Sequence, residues 1–429
     1  MSLRNAMNTG VSGLTAEGRA LGVVGDNVAN INTVGFKQSR AIFEDVLGGA
    51  VGAHDAQSMG VRMTRTQQIF AQGSLTNTGE PTDVALSGDG FFVVEGNVNG
   101  VIDQYYTRAG QTVIRNDGTL TNTAGLEVQG YAADVNGVFT SALGPIQIPT
   151  SGVPPRASAT FNVSANLDST SATPALPWDP ANPAATSNFS TQMTVYDSLG
   201  TPHAVSVYYR RTGANAWEYH ALGNGSEITG GTAGTNVEFA TGTLNFTTAG
   251  ALQAQATTAG GTVNFNGARP GQAIAFNFGT PIAAGGTGLD GITQFGSPST
   301  VTAQRQDGYA PGSFSTLRFE EDGTLNGIFT NGQTLPIAKI AVARFRANDG
   351  LARAGHNVWS ATRESGEAAI GNSGEGGRGS LVAAALEQSN VDVSQQFVDL
   401  ISHQRSFQAN SKTITTADQM LQELMNITR

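Results

Sequence analysis

The stretch ALEQSNVDVSQQFVDLISHQRSFQANSKTITTADQMLQELMNITR, residues 385–429, carries the clearest helical signature of the chain. Leu400, Phe407, Ile414 and Leu421 recur every seven residues. Ala417 and Leu424 supply the second position of a heptad seam, and Phe397 stands one turn ahead of it. A helix is expected to open after residues 371–380, and Asp392 followed by Gln395 fits a capping box at a second helix start. At the rise of an α-helix such a segment spans on the order of 50 Å. Gln404, Asn410 and Ser411 interrupt the stripe, so it is not a simple dimer zipper.

The opposite end has a matching stripe. Leu3, Met7, Val11, Leu14, Leu21, Val24, Val28 and Ile31 are spaced mostly by three, four or seven residues. Gly10, Gly13, Gly18, Gly22 and Gly25 each cost this helix roughly 1 kcal/mol relative to alanine. It is therefore expected to form only when packed, where small residues let another backbone come close. Two readings stand for the terminal stripes. They cover a core within one molecule, or they join copies of the chain through a contact that does not close on itself and so builds a filament.

Between the ends the pattern is that of β-structure. The chain has 429 residues, enough for two to four domains, with 39% hydrophobic residues. Charged residues make up only 13%, about half the ordinary share, and glycine numbers 55. Short apolar runs alternate with turn signals such as Asp89-Gly90, Asp322-Gly323 and Asn331-Gly332. The run VALSGDGFFVVE reads as strand, Asp-Gly turn and strand. Prolines and small polar residues cluster after residue 151, and the strand-and-turn pattern of residues 72–150 returns at Asp307. The expected fold is mainly β with α-helical termini, its discontinuous β domains nested within a terminal helical coiled-coil layer. The expected parts are an inner helical domain of residues 1–33 plus 380–429 and linker or hinge segments at 34–71 and 371–379. Residues 72–150 plus 307–370 form an inner β domain, and 151–306 an inserted outer β domain. LGGAVGAHDAQSMG, within the first linker, reads as a mobile loop.

Composition excludes several functions. The net charge is −10 with only three lysines (Lys37, Lys339, Lys412), the opposite of a nucleic-acid binder. With no cysteine there is no disulfide, thiolate nucleophile or thiolate metal site. No run is long and apolar enough for a membrane-spanning helix. The first residues lack the basic leader and apolar core of a cleaved signal peptide, so any export is expected to proceed without one.

A search for chemistry yields no catalytic, cofactor-binding or metal-binding residue. GEGGRG (Gly374, Gly376, Gly379) fits G-x-G-x-x-G and stands before a helical segment, but no strand leads into it, and it reads as a hinge. The histidines (His54, His203, His220, His356, His403) form no H-x-x-x-H pair. The Asp-Gly pairs lack calcium-loop spacing. Glu320, Glu321 and Asp322 read as a solvated turn rather than a glycosidase pair. Trp178, Trp217 and Trp359 read as core or loop packing rather than a sugar platform. No enzyme is expected.

Particular motifs then carry a resemblance. ANINTVGFK (residues 29–37) contains Ala29, Asn30, Thr33, Gly35 and Phe36, and LEQSNVD (386–392) contains Ser389, Asn390, Val391 and Asp392. With QGSLTNTGEPTDVALSGDGFF (72–92), YTRAG (106–110) and QRSFQANSKTITTADQMLQEL (404–424), they resemble the bacterial flagellar rod and hook axial family. FNVSANLDS (161–169), VYDSLGTPH (195–203) and the region from Asp307 to Gly332 resemble its hook members most. The resemblance implies a structural subunit that polymerises with itself into a short curved tube carrying torque from rod to filament. It implies partners in the distal rod, the hook cap, the hook–filament junction proteins and the flagellar type III export apparatus, and an extracellular location. As the composition and motifs already indicate, no cofactor, nucleic acid or membrane insertion is expected. Leu3, Met7, Leu14, Leu21, Val28, Ile31, Phe397, Leu400, Phe407, Ile414, Ala417, Leu421 and Leu424 are the expected assembly contacts. The alternatives are a distal rod or other axial role, or an extracellular β-rich adhesin or carbohydrate-binding protein.

Overall fold

A computed structural model describes residues 3–48, 57–134, 137–149 and 152–427. The chain divides into two compact units. The first comprises residues 1–150, 315–328 and 334–429, and the second residues 151–314 and 329–333.

In the first unit the N-terminal helix, Leu3–Ala29, runs antiparallel to the C-terminal helix, Val393–Ile427. Gly10 faces Ile414, Glu17 meets His403 and Asn27 meets Gln396. The glycine-rich N-terminal helix is held by this packing and not by propensity. Strands Ser39–Gly48 and Gln57–Gln68 form a long antiparallel hairpin against it, where Ser12 Oγ accepts a hydrogen bond from the Val61 amide at 3.2 Å. Residues 34–71 are thus mostly hairpin, not linker. Tertiary packing on a helix stabilises strands whose own pattern is mixed. Of the expected mobile loop, residues 49–56 lie outside the described residues, and its flanks are strand.

The body of the first unit is one large antiparallel sheet. Its path runs through Phe314–Phe319, Thr324–Phe329, Thr334–Arg344, Glu127–Ala133, Phe91–Val98, Val101–Thr107, Val358–Ser360 and Ala352–Gly355. Segments far apart in sequence therefore share one sheet. Phe91, Tyr106, Phe345 and Trp359 form its aromatic core with Phe70, in edge-to-face contacts 4.7–5.9 Å apart.

Asp322-Gly323 and Asn331-Gly332 sit at hairpin turns, with Gly323 at φ +90° and Gly332 at φ +77°. Asp89-Gly90 does not. Val84–Ser87 pairs with Ser380–Ala383 rather than with Phe91–Val98, because the Asp89 carbonyl accepts the Gly379 amide and sends the chain into a different sheet. Residues 380–392 are likewise not helical. Ser380–Ala383 and Ala385–Glu387 are strands, the latter paired with Leu75–Asn77, and the helix begins only at Val393. GEGGRG therefore precedes a strand. It is tied as a turn and not a loose hinge: Arg378 Nε donates to the Asn372 carbonyl at 2.8 Å and the Gly374 amide to the Gly379 carbonyl at 3.0 Å.

The second unit contains, among its described residues, a five-stranded antiparallel meander from Phe189 to Gly260 and a three-stranded sheet of Ala275–Asn277, Thr160–Asn166 and Thr300–Gln306. Trp217, Tyr209, Tyr219, Phe161 and Phe278 fill its core. Residues 307–313 belong here and not to the first unit, since Tyr309 and Gly312 bridge back to Arg156 and Val153.

Candidate assembly interface

The seam between the terminal helices is built from small residues. Gly10, Gly13, Ala16, Ala20, Val24 and Asn27 are buried on the N-terminal helix, and Ala417 on the C-terminal helix. A Cβ on Gly10 would come 2.9 Å from Ile414 Cγ1, and one on Gly13 2.6 Å from Asn410 Nδ2. Glycine here permits close backbone approach. Gly22 and Gly25, by contrast, have nothing within 4 Å of that position.

The large apolar residues flank this seam. Met7, Leu14, Leu21, Val28 and Ile31 are half-buried, as are Leu400, Ile414 and Leu421. Phe397 is 51% exposed and Phe407 39%. Neighbouring Val393, Val398, Ile401 and Met420 are also exposed. The side chains of Leu3 and Leu424 lie outside the described residues. The helix pair thus satisfies its narrow seam and leaves an apolar face in water. These side chains are already about half buried, so covering the rest of one such Phe or Ile is worth on the order of 1 kcal/mol.

A polar lock sets where the helices leave the sheet. Gly35 adopts φ +69°, and a Cβ there would strike the Arg108–Ala109 backbone at 2.6–2.9 Å. Its amide donates to the Glu387 carbonyl at 2.7 Å. The turn buries Phe36 and Lys37. Lys37 Nζ donates to Glu387 Oε1 at 2.6 Å and to the Ala71 carbonyl at 2.8 Å. Arg108 reaches Glu387 Oε2 at 3.3 Å and the Gly88 carbonyl at 2.7 Å. Burial pushes the Lys37 ammonium below the ordinary lysine range, against the pull of Glu387. Asn390 clamps the same corner, accepting from the Gln38 amide at 2.7 Å and donating to the Ile69 and Ala71 carbonyls.

The remaining motif residues cap or turn. Asn30 Oδ1 accepts from Thr33 Oγ1, beside the exposed Ala29. Ser389 Oγ accepts the amide of the buried Val391. Asp392 Oδ1 accepts the Gln395 amide at 3.0 Å. Gln395 turns forward to Asp399 instead of back, so half of the capping box forms.

Nothing in the sequence singles out Lys37, Arg108 and Glu387 as a unit, nor the buried Asn27, which bridges Ser39 and Gln396. The usable signal is a lysine inside the apolar run VGFK of a chain with only three. Among the described residues no cluster of His, Asp and Glu is placed to hold a metal ion.

The comparisons with known proteins cover both ends and the middle. Residues 7–37 match the flagella basal body rod protein model and residues 85–166 the flagellar hook protein FlgE/F/G D1 domain. Residues 166–309 match the flagellar basal body protein FlaE D2 domain and residues 382–427 the flagellar basal body rod FlgEFG protein C-terminal model. Flagellar hook protein FlgE of Escherichia coli (strain K12) is 35% identical over 427 residues, covering 98% of this chain and 100% of that protein. The FlgE of Treponema pallidum (strain Nichols) is 34% identical over 470 residues, covering all of both. The crystal structure of Helicobacter pylori flagellar hook protein FlgE2 shares the fold, with a TM-score of 0.52 at 16% identity over 73% of this chain and 100% of that one. A helix pair with an open apolar face, locked to a β body through Gly35, Lys37, Glu387 and Asn390, is thus carried by a chain that belongs to the flagellar hook protein FlgE family.

Proposed function

We propose that this chain is the structural subunit of a flagellar hook. It polymerises with itself into a short curved tube that passes torque from rod to filament. The observation that carries this reading is the apolar face left open on the paired terminal helices, at Val393, Phe397, Val398 and Ile401, which share one side of the C-terminal helix; the half-exposed Phe407 edges the seam near Gly18 instead. Further copies of the same pair cover it, in contacts that propagate helically instead of closing. The terminal helices then line the tube and residues 151–306 lie on its outside. The distal rod, the hook cap and the hook–filament junction proteins bound the polymer. The subunit reaches its site through the type III export apparatus without a cleaved signal and acts in no catalytic role.

Immunogold electron microscopy of flagella detached with their basal bodies tests this, using antibody raised against residues 151–306. Gold confined to the curved segment between rod and filament is expected. Gold on the rod or at the junction would move the role elsewhere in the axis, and gold scattered over the cell envelope would favour an adhesin.

A further inference from the structure

In the second unit, residues 171–187 (SATPALPWDPANPAATS) run across the meander with no strand pairing of their own among the described residues. Polar side chains of the sheet and its approach hold them. Arg210 donates to the Leu176 carbonyl at 3.2 Å, Asn188 to the Ala172 carbonyl at 2.7 Å, Asn236 to the Pro180 carbonyl at 3.4 Å, and Arg211 to the Ser171 carbonyl. Leu176 is exposed, so little apolar burial fixes this segment.

Its central anchor is Trp178. The indole stacks on the imidazole of His220 at 4.0 Å, with the planes 12° apart. Both rings bind one carboxylate oxygen: Trp178 Nε1 lies 3.1 Å and His220 Nδ1 2.6 Å from Glu238 Oε1. The other imidazole nitrogen, Nε2, is buried without a hydrogen-bond partner, and Glu218 Oε2 lies 3.8 Å from it. Arg210 approaches Glu218 at 3.6 Å. Tyr208, directly opposite His220 in the sheet, has its ring 5.9 Å from the indole, tilted by 47°. Asp179 of the segment itself is engaged by Asn182 and the Ala181 amide.

The charges around the imidazole decide its role. Two carboxylates face it from its own strand and the next, and Arg210 offsets one of them. A protonated His220 offsets the second, points a donor at Glu218 and presents a cation to the indole face. A neutral His220 turns a lone pair toward Glu218 and leaves the cluster one negative charge in excess. We propose that residues 171–187 are a strap latched to the sheet by the cationic form of His220 and released when His220 loses its proton. Release frees Trp178 and uncovers the Tyr208 and His220 face, so the surface that the second unit presents depends on the pH of the medium.

Amide hydrogen exchange on the full-length chain tests this, at about pH 5 and about pH 8.5. With intrinsic rates corrected, amides of 171–187 are expected to exchange about tenfold faster at the higher pH, while the strand Ala216–Asn224 keeps its protection. His220→Gln is expected to exchange fast at both values. His220→Arg, cationic at both and able to stack on the indole, is expected to stay slow. Equal protection of the wild-type strap at both pH values overturns the proposal, as does His220→Gln retaining the wild-type pH dependence. The strand amides report separately whether a variant is folded.

Discussion

The ammonium of Lys37 lies 2.6 Å from Glu387 Oε1, and neither side chain has any exposed surface. The two residues come from opposite ends of the chain, so this contact fixes the N-terminal turn to the strand that leads into the C-terminal helix. Arg108 shares the same carboxylate. Removing Glu387 therefore strands two buried cations, while removing Lys37 leaves Glu387 with Arg108. Glu387→Ala is expected to cost about 3–5 kcal/mol and Lys37→Met clearly less. Urea denaturation of the two variants checks the order.

The helix seam gives a sharper contrast between glycines on one helix. Gly13→Leu must displace Asn410 and is expected to separate the helix pair. Gly25→Ala meets nothing and adds helix propensity of roughly 1 kcal/mol. Circular dichroism of the soluble variants is expected to show helix lost in the first and retained or increased in the second.

Asn27 is buried and links three elements through Ser39 and Gln396. Asn27→Leu leaves the Ser39 backbone groups unpaired and is expected to cost about 1–3 kcal/mol. Gln396→Ala removes only one of these bonds and is expected to cost less. Thermal melts of both variants measure the difference.

In the second unit, Asp307 Oδ1 accepts the amides of Ala159 and Thr160 at 2.8 and 2.9 Å. Partial burial pushes its carboxyl upward, but these hydrogen bonds outweigh that and hold it below the ordinary aspartate value of 3.8. A depressed carboxyl contributes stability that is present above the unfolded value and lost as pH falls through the folded one. Acid unfolding followed below pH 3.8 is expected to show a weaker pH dependence in Asp307→Asn than in wild type. At neutral pH the variant is expected to be less stable by about 1 kcal/mol.

Different parts of this architecture are legible in the sequence to different degrees. The seven-residue spacing of Leu400, Phe407, Ile414 and Leu421 marks a long helix, because periodicity survives whatever the helix packs against. It does not say which face is covered. The seam uses Gly10, Gly13, Ala16 and Ala20, whose small side chains carry almost no hydrophobic signal. The hairpin at 39–68 is hidden because its strands owe their stability to the helix beneath them and not to a clean alternation. The strands at 380–387 read as helix because their partners, near residues 75–87, lie some three hundred positions away. Lys37, Arg108 and Glu387 are invisible as a unit for the same reason.

Copies of the chain are proposed to join at the open apolar face of the terminal helices. The double variant Phe397→Ser with Ile401→Ser puts this to the test through paired readouts on one protein: thermal unfolding of the soluble subunit and electron microscopy of hooks on cells that express it. Both positions are about half exposed in the single chain, so the subunit is expected to lose about 1–3 kcal/mol and keep its cooperative unfolding transition. Hooks are expected to be absent. Normal curved hooks would show that the face is not the joint, and a subunit that loses its own cooperative unfolding transition would show that these residues belong to the monomer's core instead.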